Sequence, residues 1–91
     1  MEHYPLISFP NGLEITYSDI KKRKNGNEYV TIYFEQPNAK RTDFNSAEIN
    51  YPGGKLRKIC GYKKEQIPVL MDHVSRIGRT ALDFSRGKSH A

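Results

Sequence analysis

The sequence predicts an α+β fold, an antiparallel β-meander of four to five strands packed on one face by a single long C-terminal α-helix. Three observations predict it. Four turn signals divide the first two-thirds of the chain, and the segments between them alternate apolar and polar residues with the period of a half-wet strand. After Lys64 the apolar residues switch to steps of three and four, the spacing of one helix face.

The first turn signal is "FPNGLEITY", which sets Asn11-Gly12 between "LISF" and "LEITY"; Asn-Gly accepts the positive φ angles of a tight hairpin. "RKNGNE" repeats the signal at Asn25-Gly26, "EQPNAKR" turns the chain at Pro37-Asn38, and "YPGGK" turns it at Pro52-Gly53-Gly54. Leu13, Ile15 and Tyr17 share one side of the second strand. On the third, Val30, Ile32 and Phe34 point inward and leave Tyr29, Thr31, Tyr33 and Glu35 outside. Ala47, Ile49 and Tyr51 face in on the fourth, with Phe44 out of phase unless a bulge near Asn45 or Ser46 restores it. The last strand, "KLRKICGY", needs an irregularity of its own before Leu56 and Ile59 can share a face.

Ile67, Leu70, Val74, Ile77, Ala81 and Phe84 trace the apolar helix face, widened by Met71, Gly78 and Leu82. Pro68 falls in the first turn, where its missing N–H has no helical partner, and Gly87 is expected to end the helix. The strands are thus expected over about 4–61, the helix over about 64–86 and a frayed tail over 87–91, all in a single domain spanning 1–91. A helix of that length is roughly 34 Å long against strands of roughly 20 Å. The end bearing Ala81, Leu82 and Phe84 then overhangs the sheet and exposes an apolar surface that a two-fold homodimer would hide, unless a bent helix or a diagonal crossing covers the same residues without a partner.

Composition narrows the function classes. With 91 residues there is room for one modest core and none for a second lobe or a deep enzyme cleft. The first twenty residues carry no Lys or Arg and only short apolar runs, so no signal peptide is expected, and no apolar run is long enough to span a membrane. Cys60 is the only cysteine, which excludes an intrachain disulfide, fits a reducing, cytoplasmic setting and reads as a buried core thiol. Net charge is +5, and most of the 15 basic residues fall in two clusters, Lys21-Lys22-Arg23-Lys24 and Lys55, Arg57, Lys58, Lys63 and Lys64. Clustering of this kind points to a polyanionic partner.

No catalytic motif stands out, and no enzyme activity, cofactor or metal is expected. His3, His73 and His90 lie far apart, no Cys/His/Asp spacing matches a zinc site, and the glycines of "YPGGK" lack the helix start of a phosphate-binding loop. His73 reads as flanking the core or meeting solvent. The basic residues carry more. In an antiparallel meander, turns two and four lie at the same end, which brings "KKRKNGNE" and the start of "GGKLRK" to one edge. Beside that edge the outer sheet face is expected to present Tyr29 and Tyr33, with Thr16 and Thr31 as neighbours and Phe44 as a further candidate. Bases stack on such rings while Lys and Arg meet phosphates, although Tyr and Thr are also good strand formers for packing alone.

In element order, several strands and then one long helix entered through "GYKKEQI", the chain resembles the single-strand-binding transcriptional coactivator family. That resemblance implies a curved sheet that binds DNA and a helix that makes a dimer. Five strands instead of four set this chain apart, and no binding residue is carried over. Two readings follow. The first is a small non-enzymatic nucleic-acid-binding protein, gripping phosphates with Lys21, Lys22, Arg23, Lys24, Lys55 and Arg57 and stacking bases on Tyr29 and Tyr33. The alternative is a protein-interaction module, an adaptor or antitoxin-like partner, that uses the helix overhang or a sheet edge while its lysines keep strand edges from pairing.

Overall fold

The computed structural model describes residues 3–37 and 43–89. Its elements run β1 (Tyr4–Ser8), β2 (Glu14–Tyr17), β3 (Lys21–Lys22), β4 (Glu28–Pro37), β5 (Phe44–Tyr51), β6 (Arg57–Cys60), a 3₁₀ turn (Lys64–Gln66) and α1 (Ile67–Ser89). The sheet order is β1-β2-β4-β5-β6, every pairing is antiparallel, and β3 pairs with β4 beyond the end of β2. The α+β meander roofed by one helix is therefore the observed fold.

The expected inward residues form the core. Leu13, Ile15, Tyr17, Val30, Ile32, Phe34, Ala47 and Ile49 from the sheet meet Leu70, Val74, Ala81 and Leu82 from α1. Burying a side chain of this size contributes about 1.5–3 kcal/mol, so this layer is the main force holding helix to sheet. Entry into the helix is fixed by the Lys63 amide, which donates to Gln66 Oε1 at 2.8 Å. On the solvent side, Arg76–Asp72 (2.9 Å) and Arg79–Asp83 (3.3 Å) are i,i+4 ion pairs.

Both Asn-Gly turns differ from a two-residue hairpin. Each is a three-residue loop in which glycine alone takes a positive φ (Gly12 +90°, Gly26 +88°). Asparagine instead caps the turn: Asn11 Oδ1 accepts from the Leu13 amide and Asn25 Oδ1 from the Asn27 amide, both at 3.0 Å. At the third turn, Pro37 closes β4 opposite Phe44, and Asn38 lies outside the described residues, as does the end of the tail.

Register slips account for the remaining departures. β5 pairs with β4 without interruption from Phe44 to Tyr51, so the bulge expected near Asn45 or Ser46 is absent and Phe44 takes the outer face, 57% exposed. The slips fall elsewhere. Leu6 is an extra residue between Pro5 and Ile7 in β1, and β6 carries one between Arg57 and Cys60, where Lys58 has φ +53°. The β6 slip puts Cys60 opposite Ser46 on the outer face, so the expected buried thiol is an exposed one. Ile59 falls on the helix side with Leu56 but at the sheet rim, where it is 44% exposed.

The longest strand matches the helix in length, and most of the end expected to overhang is covered. β4 has 10 residues and α1 has 23, about 34 Å each at the rise of a strand and of a helix. Ala81 and Leu82 are consequently buried in the chain's own core, and of the three residues expected at a dimer interface only Phe84 is exposed. Nor does Gly87 stop the helix. The end that continues to Ser89 is fastened one and two residues earlier, by Ser85 Oγ donating to the Ser18 carbonyl and by Arg86 pairing with Glu28, both at 2.9 Å.

Gly78 lets the helix approach closely, because a Cβ there would lie 2.5 Å from the Tyr51 ring. Gly78→Leu adds a strong helix former, yet it should lower stability by about 1–3 kcal/mol through overpacking. Urea unfolding followed by circular dichroism measures the change, and an unchanged midpoint would show that Tyr51 yields without cost.

Candidate nucleic-acid interface

The face of the sheet turned away from α1 is built by a one-residue insertion. From Glu14↔Glu35 to Tyr17↔Ile32 the β2–β4 register is regular, but across residues 18–20 it slips by one, so that Lys21 stands opposite Tyr29. Had the register run on unslipped, Lys21 would stand opposite Glu28 and face the helix. Ser18 repairs the ladder at the slip: its amide donates to the Thr31 carbonyl (2.9 Å) and its Oγ accepts from the Thr31 amide (3.0 Å). Turned outward, Lys21 Nζ donates to Thr31 Oγ1 at 3.1 Å and stands 5.9 Å from the Tyr29 ring centre.

Arg23 covers Tyr29 from the hairpin tip, its guanidinium 4.9 Å from the ring centre, and donates to the Pro52 carbonyl. Turns two and four therefore meet, as the topology requires. Two cations over one ring are worth about 0.5–1 kcal/mol each at exposed sites, enough to orient these side chains.

Tyr33 occupies the middle of the face with His3 lying on it, ring centres 3.6 Å apart and planes 10° from parallel. Thr31 has the expected outward phase yet is only 1% exposed, because a polar network closes over it. Thr31 Oγ1 donates to Asn50 Oδ1 (2.8 Å), which also accepts from Arg57 Nη2 (3.4 Å). Arg57 donates through Nε and Nη2 to Glu48 Oε2, at 3.1 and 2.9 Å, and Lys58 Nζ stands 3.7 Å from Glu48 Oε1. Glu48 thus neutralises part of the positive charge. Together these groups line an open dish of about 440 Å³ that includes His3, Lys21, Tyr33, Glu35, Glu48, Arg57 and Lys58. A second recess, about 450 Å³, lies between the hairpin tip, the Pro52–Gly53 turn and the helix end, and holds Arg23 and Arg86.

The six cations named from sequence divide into two groups. Lys21, Arg23 and Arg57 are committed to protein partners, whereas Lys22, Lys24 and Lys55 are exposed. Tyr29 and Tyr33 are half-buried on the outer face. His73 flanks the core, its ring 4.9 Å from that of Phe9. Glu48 and Asn50 take the outward places that the alternation of β5 gives them, whereas the positions of His3 and Lys58 on the face were not legible beforehand. A lone histidine ahead of a strand has no period to announce its direction, and Lys58 owes its place to the β6 slip.

Among the described residues no group of His, Cys, Asp or Glu is placed to hold a metal ion, and no helix is long and apolar enough to cross a membrane. No family model, curated protein or solved structure matches the chain.

Burial raises the Tyr33 phenol above its usual pKa and the Glu48 charge adds to this, while a hydrogen bond with Thr31 and the Arg57 charge oppose it. Burial also raises Tyr17 and Tyr62. All three phenols are held neutral more firmly in the fold than in the unfolded chain, where the pKa is about 10. The stability this gives is complete below about pH 10 and is lost as pH rises through the folded values. Urea midpoints should therefore hold to about pH 9 and fall beyond about pH 10, with tyrosinate absorbance in the folded protein lagging that in urea. Coincident titrations with and without urea would contradict this.

Proposed function

We propose that the protein is a non-enzymatic nucleic-acid-binding protein of the cytoplasm that takes single-stranded DNA or RNA on the outer sheet face and its basic rim. One observation carries the reading: Tyr29 and Tyr33 stand on the face left bare by the helix, with Lys21, Arg23 and Arg57 anchored around them. Aromatic rings supply stacking for bases of any sequence, and fixed cations supply the phosphate contacts. Exposed Lys22, Lys24 and Lys55 extend the grip along the backbone.

Fluorescence anisotropy with a labelled single-stranded oligonucleotide should show affinity falling with salt at a log–log slope of about 0.7 per phosphate neutralised. Replacing Lys22, Lys24 and Lys55 together by Glu should reduce that slope and weaken binding at least tenfold. Tyr29→Ala should cost about 1–3 kcal/mol if a base stacks there. Absence of binding at low salt and micromolar protein sinks the proposal.

A second reading rests on Phe84, which is 53% exposed with its ring 6.4 Å from that of Tyr17. Here an apolar partner surface, a second copy of the chain included, covers Phe84. Phe84→Ser should then abolish self-association in sedimentation experiments and leave oligonucleotide affinity unchanged; a monomer at all concentrations removes the homodimer.

A further inference from the structure

The near-parallel ring of His3 holds the position that a ligand base would take. At 3.6 Å and 10° from Tyr33, His3 has the spacing and tilt of one base on another, and an offset or edge-on contact is the more usual arrangement for two side-chain rings. Its surroundings are those of a ligand site and not of a core. His3 is exposed, lies just ahead of β1, and lines the 440 Å³ dish along with Lys21, Glu35, Glu48, Arg57 and Lys58.

Tyr33 is built in from below. It pairs with Thr16 on β2 and with Glu48 on β5, and its side chain is half-buried between those neighbours. His3 precedes the strands and reaches the face only through its side chain. One partner of the stack is therefore fixed by the sheet on both sides, and the other can leave with no strand pairing broken.

We infer that His3 is an intramolecular plug of the stacking site: it occupies Tyr33 in the free protein, and an unpaired base of single-stranded nucleic acid enters by taking its place. This rests on the proposed nucleic-acid reading and adds the site's regulation to it. The dish is at the lower end of the size range of small-ligand pockets, so one nucleotide enters it and the rest of the strand follows the rim. Arg57 and Lys58 lie across Glu48 from the stack, placed to meet the phosphate attached to the entering base.

The test compares full-length wild type with His3→Ala, Tyr33→Ala and the double variant, by anisotropy with a fluorescein-labelled oligothymidylate at low salt. An aromatic pair contributes enough that emptying the site should tighten binding roughly two- to tenfold in His3→Ala. Tyr33→Ala should weaken binding, and adding His3→Ala to it should bring no gain. Wild-type His3 ring protons, shifted upfield by Tyr33 in the free protein, should move toward random-coil positions on titration with the oligonucleotide. Equal or weaker binding by His3→Ala, or a gain that persists without Tyr33, overturns the plug and leaves the nucleic-acid reading standing. Binding by none of the four proteins, with unfolding midpoints showing that all are folded, overturns both.

Discussion

The extra residue between Tyr17 and Lys21 is the constraint on which the face of this protein depends. A strand's side chains alternate, so a single insertion reverses the direction of everything beyond it. Ser18 makes that reversal tolerable, since its hydroxyl accepts the Thr31 amide where the ladder would lose a bond. The Ser18 carbonyl is not left over either, because Ser85 of α1 donates to it. One serine thus links strand register to the seating of the helix. It also explains why the helix end stays on the sheet while the lysine turns to the other side.

Charge on the exposed face is balanced more than composition suggests. Glu48 holds Arg57 directly and draws Lys58 near, and Glu35 also lines the dish, so its three cations Lys21, Arg57 and Lys58 stand among two carboxylates. The surplus sits at the hairpin tip and around Lys55, outside the dish that holds Tyr33. On the proposed nucleic-acid reading such a separation divides the work: cations at the rim govern encounter with the polyanion, and oriented groups near Tyr33 govern what fits.

The layers of this fold were legible because each imposes a period. Alternation identified Val30, Ile32 and Phe34, and the three-four spacing identified Leu70, Val74 and Ala81, since a buried face tolerates few exceptions. Turn residues located the hairpins but not their geometry, because Asn-Gly serves a two-residue and a three-residue loop alike. What escaped the sequence were the slips in β1 and before Lys21, whereas the β6 slip is the irregularity that Leu56 and Ile59 called for. The position of Lys21 owes itself to one, and those of Lys58 and Cys60 to another. No residue type demands such an insertion; it is chosen by the ladder on the neighbouring strand. The expected apolar overhang failed for a related reason, since the reach of β4 depends on where its partners stop pairing. His3 lay beyond any periodic argument, because its place is decided by the ring it lies on.

The two outer strands share a trait with a consequence for the molecule in a crowded solution. Pro5 and the extra Leu6 break the free margin of β1, and the left-handed Lys58 kinks that of β6. A donor-acceptor row interrupted in this way cannot template a neighbouring chain over its length. Growth of a continuous cross-molecular ribbon is therefore blocked from both flanks.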